Sequence, residues 1–129
     1  PPGGGYVGND SSLVLLMKPT GPSFLFTGDM EQESEEKIIR KYGQVKWGEL
    51  ILKAGHHGSK TSSTDAFIDL LRPRLAIISA GRNNLYGHPH QEVLDTFAKY
   101  GIPTLLTADQ GSITVVVEKD RYAVAVSEN

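Results

Sequence analysis

The chain has 129 residues, of which 39% are hydrophobic and 22% charged, the balance of an ordinary globular chain large enough for one core. Its net charge of −2 gives no global basic field of the kind that draws a protein to nucleic acid, which does not exclude binding through a local patch or a metal. The absence of cysteine removes disulfides and thiolate sites, so any metal must sit on His, Asp, Glu or neutral oxygens.

Residues 1–8 read as loop or linker. The opening Pro1-Pro2-Gly3-Gly4-Gly5 resembles a piece cut from a longer protein more than a natural start. Leu13-Val14-Leu15-Leu16-Met17 predicts a strand, Thr20-Gly21-Pro22-Ser23 a turn, and Phe24-Leu25-Phe26-Thr27 a second strand that closes a hairpin and ends at Gly28-Asp29. A helix follows from about Met30 to Tyr42, with Ile38, Ile39 and Tyr42 as its apolar stripe and Gly43 as its stop. Its early residues are acidic, as the dipole prefers near a helix N-terminus.

The third strand, about Glu49 to Lys53, runs into Ala54-Gly55-His56-His57-Gly58-Ser59-Lys60. Ser63 or Thr64 can cap a helix over 65–71, with Ala66, Phe67, Leu70 and Leu71 on one face and Pro73 closing it. Leu75–Ser79 is another buried strand, 81–88 a loop, and about Pro89 to Tyr100 a helix with Val93, Leu94 and Phe97 inward and Gly101 as its stop. Pro103–Thr107 contains a short strand, and Ile113–Val117 with Tyr122–Val126 makes a terminal hairpin. Strands alternating with helices predict an α/β sheet with helices packed outside. No apolar run approaches the length of a membrane span.

Three clusters carry unusual chemistry: Gly28-Asp29, His56-His57-Gly58-Ser59 and Gly87-His88-Pro89-His90. Each follows a predicted strand or the loop after one, so in a parallel sheet all three converge at the C-terminal edge. All four histidines fall in two of them. Each residue also has a plain structural reading. Asp29 is either a helix N-cap, with Gln32 three residues on, or a strand-end carboxylate able to bridge two metal ions. On an extended segment His56 and His57 point to opposite sides, one to the site and one to packing, unless Gly55 or Gly58 twists the chain. Ser59 either begins a turn or offers its hydroxyl to a phosphate oxygen, and Lys60 is a solvated loop charge. His88 is either a cap before Pro89 in the first helical turn or a functional imidazole, and His90 reads as exposed.

The order strand, Thr27-Gly28-Asp29, helix, strand, His56-His57-Gly58-Ser59, helix, strand, Asn84-Leu85-Tyr86-Gly87-His88-Pro89 resembles the metallo-β-lactamase superfamily, over about Asn9 to Ile113. More narrowly it is similar to the C-terminal metallo-β-lactamase-like domain of the ComEC family of bacterial competence (DNA-uptake) proteins. The resemblance implies an α/β fold of the αββα-sandwich type, with residues 9–129 forming the C-terminal part of one such domain and a one- or two-metal site at the sheet edge. It implies Asp29 as the metal-bridging carboxylate. Of the histidine pair, it implies His57 as a metal ligand and His56 as the substrate-contacting or proton-handling group, with Ser59 and His88 near the substrate phosphate. Asn9 falls where many members place another metal histidine. The superfamily's His-x-His-x-Asp-His run is missing, so most ligands for zinc or manganese are expected from a first half outside this chain, and the chain alone is expected to be inactive.

The function implied is metal-dependent phosphodiester hydrolysis of DNA by the soluble part of a membrane-embedded uptake protein in the bacterial cell envelope. Its partners would be DNA and the rest of that protein. Two other readings stand beside it: a non-catalytic DNA-binding or structural module of the same fold, and a phosphoesterase of the superfamily acting on a different substrate.

Overall fold

Short apolar runs bounded by Gly, Pro and Ser form the strands, and the longer amphipathic stretches between them form the helices. The computed structural model describes residues 14–17, 21–81 and 87–127. Residues 1–8, Asn9, Leu13 and the Asn84, Leu85 and Tyr86 of the motif above lie outside the described residues. The strands are β1 (Leu15–Met17), β2 (Ser23–Phe26), β3 (Leu50–Lys53), β4 (Leu75–Ile78), β5 (Thr104–Leu106), β6 (Ser112–Glu118) and β7 (Arg121–Ser127). The helices are α1 (Gln32–Tyr42), α2 (Asp65–Leu71), α3 (Gln91–Lys99) and the short α4 (Thr107–Gln110). A single turn over Gly55–Gly58 sits between β3 and α2.

The main sheet has five strands in the order β1-β2-β3-β4-β5, with β1 antiparallel to β2 and the rest parallel. Side chains alternate between its two faces. Leu25, Leu50, Leu52, Ala76 and Ile78 face Phe67, Ile68, Leu71, Val93 and Phe97, so the crossover helices all pack on one side. Consecutive strand order with right-handed crossovers demands this, because every crossover then turns the same way. The other face carries Phe24, Ile51 and Leu75, covered by Val115, Val117 and Tyr122 of the β6–β7 hairpin. The C-terminal ends of β2, β3 and β4 share one edge, and each sequence cluster lies on the chain leaving that edge.

Several expectations are corrected. Tyr42 is exposed and lies edge-on to Trp47, while α1 buries Ser34 and Glu35 and only partly buries Ile38 and Ile39. The reason is that the N-terminal half of α1 is tied to the loop after the histidines, described below. In α2, Ile68 takes the inward place expected of Ala66, because Phe67, Ile68 and Leu71 form the narrower stripe that meets the sheet. α4 was not foreseen. Its Thr107 hydroxyl donates to the Ala80 carbonyl and accepts the Ala80 N–H, both at 3.0 Å, pinning the exit of β4. Among the described residues no helix is long and apolar enough to cross a membrane.

Candidate metal and phosphate site at the sheet edge

Backbone hydrogen bonds set the stage. The buried Thr27 hydroxyl donates to the Lys53 carbonyl at 2.7 Å, locking the ends of β2 and β3 together. Ala54 N–H extends the β3–β4 ladder to the Ile77 carbonyl, and His56 N–H then crosses to the Gly28 carbonyl at 2.8 Å. At Gly55 a Cβ would lie 2.9 Å from the Met30 carbonyl oxygen, so only glycine lets the histidine turn approach the chain behind Asp29 this closely.

The histidine pair is not extended. His56 (φ 47°, ψ 45°) and His57 (φ 55°, ψ 27°) both occupy the left-handed region, and Ser59 N–H closes the turn on the His56 carbonyl. Two successive L-residues in that region hold strain on the order of 1–2 kcal/mol each, the kind of local strain that clusters at functional sites. The chain is thus twisted between Gly55 and Gly58, the alternative to an extended pair. The rings lie 6.4 Å apart, and each is 5.6 to 6.3 Å from the His88 ring.

His57 is fixed in a single tautomer. Its Nδ1 lies 2.8 Å from the Ser79 carbonyl oxygen, which can only accept, so Nδ1 carries the proton. Nε2 is then directed to Asp29 Oδ1 at 3.7 Å. That gap is too wide for a hydrogen bond, and neutral imidazole and carboxylate are both acceptors. Two acceptors therefore face each other across a half-exposed gap wide enough to admit a cation. Asp29 is not a helix cap, contrary to the structural reading above. The N-cap is Glu31, and Asp29 projects from the turn before it, about half exposed like His57.

His56 faces the other way. Its Nδ1 is 3.4 Å from the Thr61 hydroxyl and 4.0 Å from Glu31 Oε2. Thr61 Oγ1 lies 2.9 Å from Ser59 Oγ, and Thr61 N–H donates to that same Ser59 oxygen. Ser59 is thus buried within a hydroxyl pair beside His56 and is not merely the start of a turn. His90 is only partly exposed, and it sits just before α3 rather than inside the helix expected from Pro89. It is the N-cap residue of that helix, its N–H donates to the Gly58 carbonyl, and its Nδ1 accepts the Lys60 N–H at 2.9 Å. His88 is accordingly not a cap, and Pro89 lies outside the helical turn expected to hold it. His88 meets His90 edge-on at 4.8 Å between ring centres.

Sequence reading missed Lys53, Glu31 and Thr61. Lys53 ends β3, half-buried and close enough to Asp29 to feel its charge. Burial pushes its ammonium below the ordinary range and the carboxylate of Asp29 pulls it back up. A lysine closing an otherwise apolar strand was the available signal.

Desolvation, with the charges of His90, His56 and His57 behind it, lowers the pKa of His88. The folded chain then binds that proton less readily than the unfolded one. The associated stability is complete above the ordinary histidine value of about 6.5 and is lost as pH falls through the lowered folded value. Urea midpoints taken from about pH 8 down to about pH 5 are expected to fall, and His88→Gln is expected to flatten that slope. His56→Gly is expected to leave stability unchanged or raise it by up to about 1 kcal/mol, since relief of left-handed strain outweighs the added chain entropy. A loss above about 1 kcal/mol in the same denaturation experiment would show that the ring's contacts matter more than the strain.

Among the described residues, no group of three or more His, Asp or Glu side chains converges as a metal site. Asp29 and His57 do fit two places in one, since a ligating histidine commonly donates its other N–H to a backbone carbonyl, as His57 does to Ser79.

No protein-family model matches the chain. It is 47% identical to ComE operon protein 3 of Bacillus subtilis over 105 residues, which cover 81% of this chain and 13% of that protein. It is 35% identical to Recombination protein 2 of Haemophilus influenzae over 116 residues, 90% of this chain and 14% of that protein. It is 36% identical to Competence protein ComA of Neisseria gonorrhoeae over 105 residues, 81% of this chain and 15% of that protein. The chain thus spans 13% to 15% of the length of these relatives. It is a homologue, over most of its own length, of a short part of three much longer competence-related proteins.

Proposed function

We propose that this chain carries part of a metal-dependent phosphodiester hydrolase that acts on DNA during its uptake by a bacterial cell. The observation that carries the reading is the facing pair, His57 Nε2 and Asp29 Oδ1 at 3.7 Å, with the far nitrogen of His57 already committed to Ser79. A lone pair and a carboxylate oxygen directed at the same gap suit a divalent cation such as zinc or manganese. Such an ion, once bound, supplies Lewis acidity and a water activated near neutral pH. The chain's own residues then divide the remaining work. Asp29 and His57 hold two positions of the shell, the rest coming from beyond the described residues. Thr61, backed by the buried Ser59 hydroxyl, offers its own hydroxyl to a phosphate oxygen, and His56, steadied by Thr61 and Glu31, handles a proton at the leaving oxygen, with His88 beside it.

The names of the homologues, two of which speak of competence or its operon, support DNA as the substrate and a place in the cell envelope as part of a longer uptake protein. The test is elemental analysis and a nuclease assay on the full-length protein. Bound zinc or manganese with cleavage that a chelator abolishes is the expected result. A full-length protein with neither overturns the reading. A second reading, a module that binds DNA without cutting it, is favoured by the two-donor shell, as no third donor joins it among the described residues. Steeply salt-dependent binding without cleavage would establish it.

A further inference from the structure

Glu35 lies in the first turns of α1, where a glutamate reads as an ordinary solvated dipole partner, yet it is only 1% exposed. Its carboxylate accepts two successive backbone N–H groups, Ser63 to Oε2 at 2.5 Å and Thr64 to Oε1 at 2.9 Å. Those donors open α2, whose own N-cap, Thr64, makes no side-chain capping bond. A carboxylate from another helix thus fixes the two residues through which the chain enters α2. A second tie runs alongside it, from Gln32 N–H to the Thr61 carbonyl at 2.8 Å. Within the loop, the buried Ser62 hydroxyl donates back to the Gly55 carbonyl and contacts that of Ser59. Burial raises the pKa of Glu35, opposed by the bonds from Thr64 and Ser63, so this carboxylate is kept at an electrostatic penalty that a surface position would avoid.

We infer that Glu35 is a positioning residue: by clamping Ser63 and Thr64 to α1 it sets the 59–64 loop so that the Thr61 hydroxyl meets His56 Nδ1. Asp29 lies two residues before Glu31, the N-cap of α1, so the carboxylate side and the hydroxyl side of the site both adjoin the start of this helix. His57 is outside this linkage, because its ring is held by the Ser79 carbonyl at the end of β4. The functional weight of the inference rests on the proposed role of His56, but its test needs no hydrolysis.

The experiment is nuclear magnetic resonance of the uniformly labelled chain at about pH 8, where an ordinary imidazole is neutral. Wild type is compared with Glu35→Gln, which keeps one acceptor oxygen and sets an amide donor against the other N–H. The expected result is that the His56 ring nitrogen signals shift while those of His57 hold. Amide exchange at Ser63 and Thr64 should rise at least about tenfold, the scale of one lost hydrogen bond, with Leu52 and Ala76 in the sheet unchanged. If both rings shift together, or neither does, or loop and sheet amides accelerate equally, Glu35 is a general stabiliser and the inference is overturned. Should Glu35→Gln fail to fold, Glu35→Asp, which withdraws the carboxylate by one methylene, is read by the same criteria. Selective movement of His56 in a full-length protein that cuts no DNA would keep the positioning role and discard the hydrolytic one.

Discussion

Replacing Asp29 by Ala in the full-length protein is expected to lower metal retention and DNA cleavage by at least about 100-fold, since loss of even an indirect partner to a metal ligand costs about 10–100-fold. The substitution should do little to the fold. Asp29 is about half exposed, caps no helix, and its pairing with His57 at 3.7 Å contributes at most about 1 kcal/mol. A stability change within about 0.5 kcal/mol, together with loss of metal, separates a ligand from a structural carboxylate. Asp29→Asn sharpens the comparison, because it keeps the shape and removes the charge. If either variant retains metal and cleavage at the wild-type level, Asp29 has no part in the site.

Gly58→Ala should produce the largest loss of stability among changes at the site. Gly58 has φ +81°, where an L-residue costs about 1–2 kcal/mol. An added Cβ would also stand 2.7 Å from Pro89 Cβ and 3.0 Å from Ile78 Cγ2. Pro89 is a rigid ring and Ile78 is fully buried, so neither yields easily, and overpacking adds about 1–3 kcal/mol. The sum, about 2–5 kcal/mol, is a large share of the roughly 5–15 kcal/mol that holds a typical domain together. Gly101→Ala is the control, with φ +67° and nothing within 4 Å of its Cβ. It should lose only the conformational part. Equal losses in urea denaturation would mean that Pro89 moves aside without resistance. Because Pro89 stands between His88 and His90, the same substitution should displace both rings and reduce turnover beyond what stability explains.

The elements were legible wherever the sequence alternates or repeats with a clear period. Leu50-Ile51-Leu52 had to be a strand buried on both faces, and α2 matches its expected span because Thr64 and Pro73 bracket it. The meeting of Asp29 with the histidine pair followed from topology, since both leave the C-terminal ends of neighbouring parallel strands, but which histidine faces Asp29 did not. What could not be read depends on backbone dihedrals and distant partners. Nothing in His56-His57 itself announces two left-handed residues, and the flanking Gly55 and Gly58 left a twist open without fixing it. His90 looked idle because its partner, Lys60 N–H, is a backbone group thirty residues away. Glu35 looked solvated because helix periodicity registers apolar residues and is blind to a carboxylate buried for its acceptors.

In the main sheet, spatial neighbours are also chain neighbours. Assembly can therefore proceed in the direction of synthesis, each parallel pair closing over one short crossover without a long-range search. Asp29, His57 and the Ser79 carbonyl all precede the crossover that carries His88 and His90. The half of the edge built by Asp29 and His57 is expected to gain protection before the half built by His88 and His90, an order that pulse-labelling of amides during refolding can time.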